Sequence, residues 1–224
     1  VWDTFPGAWH STAVDVIMPN GRTLRVATYH HYRDQWARAF DLTYEDSNGD
    51  TQFCHQTTFG MSERLLGAVV GMHGDDNGLI MPPSIAPIQV ILMPVAAHAD
   101  DNVKPKVEAL ATHLERSGFR VRIDDRDLRP GTKHYDWEIK GVPIRLEIGP
   151  RDLASNQCTI SLRTGGKTEV PIEGISSSIS QCLETVSEEL RTRSHAQASE
   201  LIRTFPGLTQ TAGGWELNGP LKDD

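Results

Sequence analysis

Residues Ile88 to Met93 form the longest apolar run of the chain, broken only by Gln89 and ended by Pro94. A run this short and this apolar suits a central strand covered on both faces, and it is far too short to cross a bilayer. Beyond Pro94 the chain alternates helix and strand patterns, as an α/β domain built on a mixed sheet requires. A helix is predicted after Asn102, with Asn102 as its cap, Pro105 in its first turn and Val107, Leu110, Ala111 and Leu114 on one face, stopped by Gly118. Arg120 to Ile123 reads as a strand, Pro130 opens a helix to about Lys140, and Gly141-Val142-Pro143 turns into the strand Ile144 to Ile148. A hairpin about Gly165-Gly166 joins Cys158–Leu162 to Thr168–Val170, and a last helix carries Ile179, Cys182, Leu183, Val186 and Leu190 on one stripe to about Ser194.

The part before Pro82-Pro83 has a different grammar. Turn clusters at Pro19-Asn20-Gly21 and Ser47-Asn48-Gly49-Asp50 separate strand-like runs at Ala13–Met18, Thr23–Thr28, Phe40–Tyr44 and Gln52–Gln56, which predicts antiparallel hairpins. One helix is predicted from Ser62 to Met72, with Leu65, Leu66, Val69 and Val70 at helical spacing and Gly67 and Gly71 allowing close approach to a sheet. The fold class is therefore α/β in the wide sense (α+β). An antiparallel sheet at residues 1–86 precedes an α/β domain at 87–192, with a tail at 193–224.

Three cysteines without a C-x-x-C pair support neither a disulfide framework nor a cysteine zinc site, and suggest a reducing, cytoplasmic compartment. The formal charge is −8, yet Arg116 to Lys167 carries eleven Lys and Arg against seven Asp and Glu, a local excess of four positive charges. Nucleic acid, if bound, belongs on that stretch, where contact would be salt-sensitive. No P-loop, G-x-G-x-x-G fingerprint or two-histidine metal motif is present, and His30-His31 lacks the third ligand a catalytic zinc needs, so no metal site is expected.

Three stretches together resemble the prolyl-tRNA synthetase family, of the archaeal and eukaryotic class II type. Gln56-Thr-Thr-Phe-Gly60-Met-Ser-Glu-Arg64-Leu-Leu-Gly67, leading into His73-Gly-Asp-Asp-Asn-Gly-Leu-Ile-Met-Pro-Pro83, is similar to motif 3 of that class. The resemblance gives Arg64 the ATP γ-phosphate contact, a role suited to a guanidinium that meets phosphate oxygens bidentately and stays charged. Asp124-Asp-Arg-Asp-Leu-Arg-Pro-Gly-Thr-Lys-His-Tyr-Asp-Trp-Glu-Ile-Lys-Gly-Val-Pro143, followed by Arg145-Leu-Glu-Ile-Gly-Pro-Arg-Asp152, is similar to the anticodon-binding domain, and Tyr-Asp-Trp-Glu-Ile-Lys-Gly-Val-Pro points to its prolyl member. It implies an anticodon surface from Arg126, Arg129, Lys133, Trp137, Glu138 and Lys140; Trp137 also suits the core of an apolar helix face. The third stretch, Phe5-Pro-Gly-Ala8 through Ile17–Leu24 to Thr28-Tyr-His-His31, resembles the strands before motif 3. It implies Thr28 and Arg25 near ATP and His30, Gly60 and Ser62 near proline, although His30 also reads as a buried structural histidine. The family usually has glutamine at Arg25 and Gly-Gln-Asn at Arg33-Asp34-Gln35.

The resemblance spans about residues 1 to 192 and implies a proline–tRNA ligase, an aminoacyl-tRNA synthetase of protein biosynthesis. It would use ATP with Mg2+ as substrate and work as a homodimer with proline and tRNA(Pro), without DNA or membrane. Motifs 1 and 2 are missing upstream, and Val1 reads as a cut, so the chain is expected to be a fragment inactive alone. The other reading is a non-catalytic tRNA-binding module or accessory protein derived from such an enzyme.

Overall fold

The computed structural model describes residues 5–202, 208–211 and 214–217 of the 224-residue chain. Turn chemistry shapes the first sheet. Gly21, at φ 74°, closes the hairpin between β1 (His10–Ile17) and β2 (Thr23–Arg33). Where the sequence pattern suggests a strand beginning at Phe40, a short helix ends instead. That helix, α1 (Gln35–Phe40), buries Ala37, stacks Trp36 on Phe40 with centroids 5.8 Å apart, and stops at Asp41 in the left-handed conformation. The Asp34–Arg38 ion pair across its first turn, 2.7 Å, is the i,i+4 device that marks it. The expected hairpin about Ser47–Asp50 joins β3 (Thr43–Glu45) to β4 (Thr51–Phe53). β5 (Gln56–Met61) then pairs with β2, giving the antiparallel order β1-β2-β5, and α2 (Arg64–His73) comes next.

The buried stripe expected on α2 is not there. Ala68 is its buried residue, whereas Leu65, Leu66 and Val70 are 42%, 62% and 53% exposed. Of its two glycines, Gly71 sits where a Cβ would come within 2.5 Å of Met18 Cε, but Gly67 meets nothing within 4 Å among the described residues.

The second sheet has the order β10-β9-β8-β6-β7 and is mixed, as predicted. Its centre is β6 (Val90–Pro94), whose first four residues are all buried. α3 (Val103–Arg116) leads to β7 (Val121–Ile123) on one side of β6, and α4 (Pro130–Ile139) leads back to β8 (Ile144–Ile148) on the other. Both flanking strands run parallel to β6, so right-handed crossovers in opposite directions put α3 and α4 on opposite faces. Asn102 precedes α3 but does not cap it with its side chain, which donates to Asp100 instead (2.9 Å). A short helix that the sequence pattern does not suggest, α5 (Pro150–Ala154), precedes the hairpin of β9 (Gln157–Leu162) and β10 (Lys167–Pro171).

α6 (Ile175–Leu201) lies with α3 on one face, where Val107, Leu110, Leu114, Ile175, Ile179 and Leu183 cover Val90, Leu92, Ile144, Leu146, Ile148 and Ile160. The helix runs on past position 192. Of the segment assigned to a tail, residues 203–207, 212–213 and 218–224 lie outside the described residues; β11 (Leu208–Thr211) and β12 (Gly214–Leu217) pair with each other. On the opposite face Ile91 and Met93 meet Trp137 and Val142.

Gly141 shows how tightly the chain between the sheets is seated. It has φ 70°, and a Cβ there would lie 2.4 Å from the Leu79 carbonyl oxygen. Gly165 also has positive φ but open space around it. Gly165→Ala is expected to cost only the left-handed backbone penalty, about 1–2 kcal/mol, and Gly141→Ala clearly more. Urea unfolding midpoints of the two variants check this; equal losses would show that the seam yields.

Candidate functional site

Two surfaces carry the chemistry. The first lies where β2 and β5 meet the start of α2. Thr28 pairs with Gly60 across the strands, and a Cβ at Gly60 would stand 3.6 Å from Thr28 Oγ1, so glycine leaves the space above that hydroxyl open. Ser62 Oγ accepts from the Arg64 backbone N–H at 3.4 Å, turning the chain into the helix. Arg64 is thus the first residue of α2, exposed, with a guanidinium that makes no hydrogen bond or ion pair among the described residues. A cationic fork at a helix N-terminus adds its charge to the favourable end of the helix dipole, which suits a phosphate. A shallow cleft of about 410 Å³ gathers Arg25, Thr28, Gly60, Ser62 and Arg64, five residues named from the sequence. Arg25 also pairs with Asp15 at 3.1 Å. His30 is not among the lining residues; it shares the strand face of Thr28 two positions on, where Ser11 Oγ bonds its Nδ1 (2.8 Å) and the Phe5 ring lies 4.8 Å away.

The second surface is built around α4. Asp124, at the end of β7 and 2% exposed, receives the Arg126 guanidinium through Nε (2.8 Å) and a terminal nitrogen (2.7 Å), and Trp137 Nε1–H at 2.6 Å. Hydrogen bonding from Arg126 foremost holds the Asp124 carboxyl far below its ordinary range, against the opposing pull of burial. Arg126 also reaches Asp136 (2.9 Å), and Lys133 donates to the Asp124 carbonyl (3.1 Å). Of the six side chains the sequence offered to an anticodon, Lys133 and Trp137 are each only 6% exposed, their polar atoms bound inside this network. Arg129 and Lys140 are exposed and Glu138 partly so, with Lys140 Nζ 4.5 Å above the Trp137 ring.

Beside α4, the sheet face opens into a cleft of about 520 Å³. Register lines up Arg145 of β8, Ser161 of β9 and Lys167 of β10 in one row across it. Glu147 gathers Arg145 (2.8 Å), His134 (3.1 Å) and Lys167 (3.9 Å), and burial foremost, then Arg145, pushes His134 below its ordinary pKa. Ser161 is 7% exposed, and its Oγ has no hydrogen-bond partner among the described residues. A buried hydroxyl left without a partner is costly, so a ligand group that satisfies it is favoured there.

Residues 89–182 match the family described as an anticodon binding domain. A proline–tRNA ligase of Thermococcus kodakarensis is 45% identical over 194 residues, covering 86% of this chain and 40% of its own length. One from Methanocorpusculum labreanum is 41% identical over 218 residues, covering 97% of this chain and 46% of its own. The structure of Giardia lamblia prolyl-tRNA synthetase in complex with prolyl-adenylate superposes with a TM-score of 0.82 at 35% identity, over 89% of this chain and 44% of that one. The chain is similar to prolyl-tRNA synthetases over most of its own length, and residues 89–182 carry the anticodon binding domain. The chain spans less than half the length of these relatives.

Prolyl-tRNA synthetases as a family imply ATP and magnesium use in general. Among the described residues no group of three or more metal-ligating side chains converges, and no helix is long and apolar enough to cross a membrane. Arg145, Ser161 and Lys167, which line this cleft, are not among the side chains that the sequence offered to an anticodon. The alternation Ile144-Arg-Leu-Glu-Ile148 did carry a signal, since charges at every second position of a central strand require a polar face to receive them. Ser161 gave none, because only the strand register brings it beside Arg145.

Proposed function

We propose that this chain forms part of a proline–tRNA ligase, which activates proline with ATP·Mg2+ and transfers it to tRNA(Pro). The observation that carries the reading is the gathering of Arg25, Thr28, Gly60, Ser62 and Arg64 on one cleft at a helix start, within a fold shared with a prolyl-adenylate complex. In this reading residues 1–86 contribute to the catalytic domain, and the α/β domain that begins at 87 and closes with α6 binds the anticodon. Arg64 holds the γ-phosphate, Thr28 and Arg25 flank the nucleotide, and Gly60, Ser62 and His30 stand on the proline side. The enzyme works as a cytoplasmic homodimer.

Anticodon reading falls to the open cleft beside α4. Glu138 accepts hydrogen bonds from the amino edge of a guanine, Arg145 and Lys167 donate to acceptor edges or phosphate, and Ser161 Oγ completes the row. Arg126 and Arg129 line a separate cleft at the start of α4 and Lys140 is exposed after its end, so that these cations are available to the RNA backbone, while Lys133 and Trp137 hold the helix in place.

The test is binding of an RNA anticodon stem-loop with the proline anticodon, against one whose anticodon guanines are replaced by adenines. The first is expected to bind about tenfold tighter or more, and Arg145→Ala to erase most of that preference. Equal affinity for both RNAs would refute base reading by this cleft.

A further inference from the structure

The chain leaving α2 is stitched to α4 before it reaches the second sheet. Gly74 N–H donates to Val70 O (3.0 Å), and Asp75 and Gly78 exchange backbone hydrogen bonds at 2.9 and 3.0 Å. Leu79 N–H donates to Ile139 O (3.1 Å) and Met81 N–H to Gly141 O (3.0 Å). Between them Ile80, 2% exposed, packs on Val186 and Leu190 of α6. A Cβ at Gly78 would lie 2.6 Å from Ile139 Cα, so the two backbones touch with no side chain between them.

Arg163 crosses this seam. Its side chain is 3% exposed; Nε donates to the Glu138 carbonyl (3.0 Å), and the two terminal nitrogens grip Asp75 through both carboxylate oxygens (2.9 and 2.5 Å). The same residue lines the cleft that holds Glu138, Ser161 and Lys167. Asp75 does not line that cleft, and its carboxyl is held below its ordinary range by Arg163 before any other group. A planar fork gripping both oxygens resists sliding and rotation, as a single contact does not. Enclosed as it is, Arg163 has little room to move independently of either partner.

We infer that Arg163 is a positioning residue that couples occupancy of the cleft beside α4 to the placement of Arg64 at the far end of α2. The route is contiguous: Glu138 carbonyl, Arg163, Asp75, then the ten residues of α2, about 15 Å of rigid helix, to Arg64. An RNA base held by the Glu138 carboxylate fixes the last turn of α4, whose carbonyl fixes Arg163, whose fork fixes the C-terminal end of α2. The inference rests on the proposal that this cleft takes RNA. Coupling of this kind is reciprocal, so nucleotide at Arg64 in turn favours RNA in the cleft.

The test uses this chain with the proline anticodon stem-loop and tracks two readouts, RNA affinity by fluorescence anisotropy and amide hydrogen exchange across α2. Saturating RNA is expected to slow exchange in α2 about fivefold or more, the low end of ordinary coupling. Asp75→Asn, which leaves the cleft lining intact, is expected to keep RNA affinity within about twofold and lose that RNA-dependent slowing. A merely structural Asp75 would raise exchange equally with and without RNA. Arg163→Lys, which keeps the charge and loses the fork, provides a second variant with the same expected loss. RNA binding without slowing in the unaltered chain would overturn the coupling while leaving RNA recognition standing, as would full slowing in both variants. Absence of RNA binding would overturn the RNA reading and the coupling with it.

Discussion

Asp124→Ala is expected to destabilise the second sheet and its helices by about 1–3 kcal/mol, the cost of leaving a buried donor, the Trp137 N–H, without its acceptor. Asp124 is 2% exposed and serves as acceptor for Arg126 and Trp137 together. Alanine leaves the indole N–H of the buried Trp137 without its partner, while Arg126 keeps only Asp136 at the surface. Asp124→Asn keeps an acceptor oxygen and loses the charge, so its loss is expected to be smaller. The dependence on pH has a fixed sign. The folded carboxyl titrates far below the ordinary value of 3.8, so its contribution is fully present above that value and is lost as acid protonates it in the folded state. The stability gap between the unaltered chain and Asp124→Ala is therefore expected to be constant from neutral pH to about pH 5 and to narrow in stronger acid. Urea unfolding at several pH values measures it; a neutral-pH gap below about 1 kcal/mol would show the network to be dispensable.

The network also shows what a sequence can and cannot display. Asp124, Arg126, Lys133 and Trp137 stand close in sequence beside a basic stretch, and their residue types alone make a plausible RNA surface. Burial sorts them: a tryptophan at the face that meets Ile91 and Met93 is core, and its N–H then recruits a buried carboxylate. Turn-driven features were legible, since Gly21, Gly165 and Gly166 take positive φ without the steric cost that a side chain brings, and both hairpins formed about them. So was the mixed sheet, because β6 has no polar face. Less legible were α1 and α5, of six and five residues, too short for a helical period to repeat. Periodicity also overreached on α2, where it located an apolar stripe correctly but could not say that Leu65, Leu66 and Val70 stay exposed here. The row Arg145, Ser161 and Lys167 was invisible for a different reason: it exists only across strands.

Arg64→Ala is expected to carry the largest functional effect. The readout is proline-dependent ATP–pyrophosphate exchange by a chimera in which this chain replaces the matching part of the Thermococcus kodakarensis relative. Removing one preorganised cation from a phosphate that gains charge in the transition state costs about 10²–10³ in rate. Three features favour that magnitude over a surface effect. Arg64 opens α2, where the helix dipole adds to its charge; its guanidinium is committed to no other group among the described residues; and the backbone beneath it is pinned by Ser62. Because the side chain is exposed, the variant is expected to unfold within about 0.5 kcal/mol of the parent, separating chemistry from folding. Arg64→Lys keeps the charge but cannot bridge two oxygens, so it should recover only part of the loss. Exchange unaffected by Arg64→Ala would place the γ-phosphate elsewhere, and the next cation to test on that cleft is Arg25.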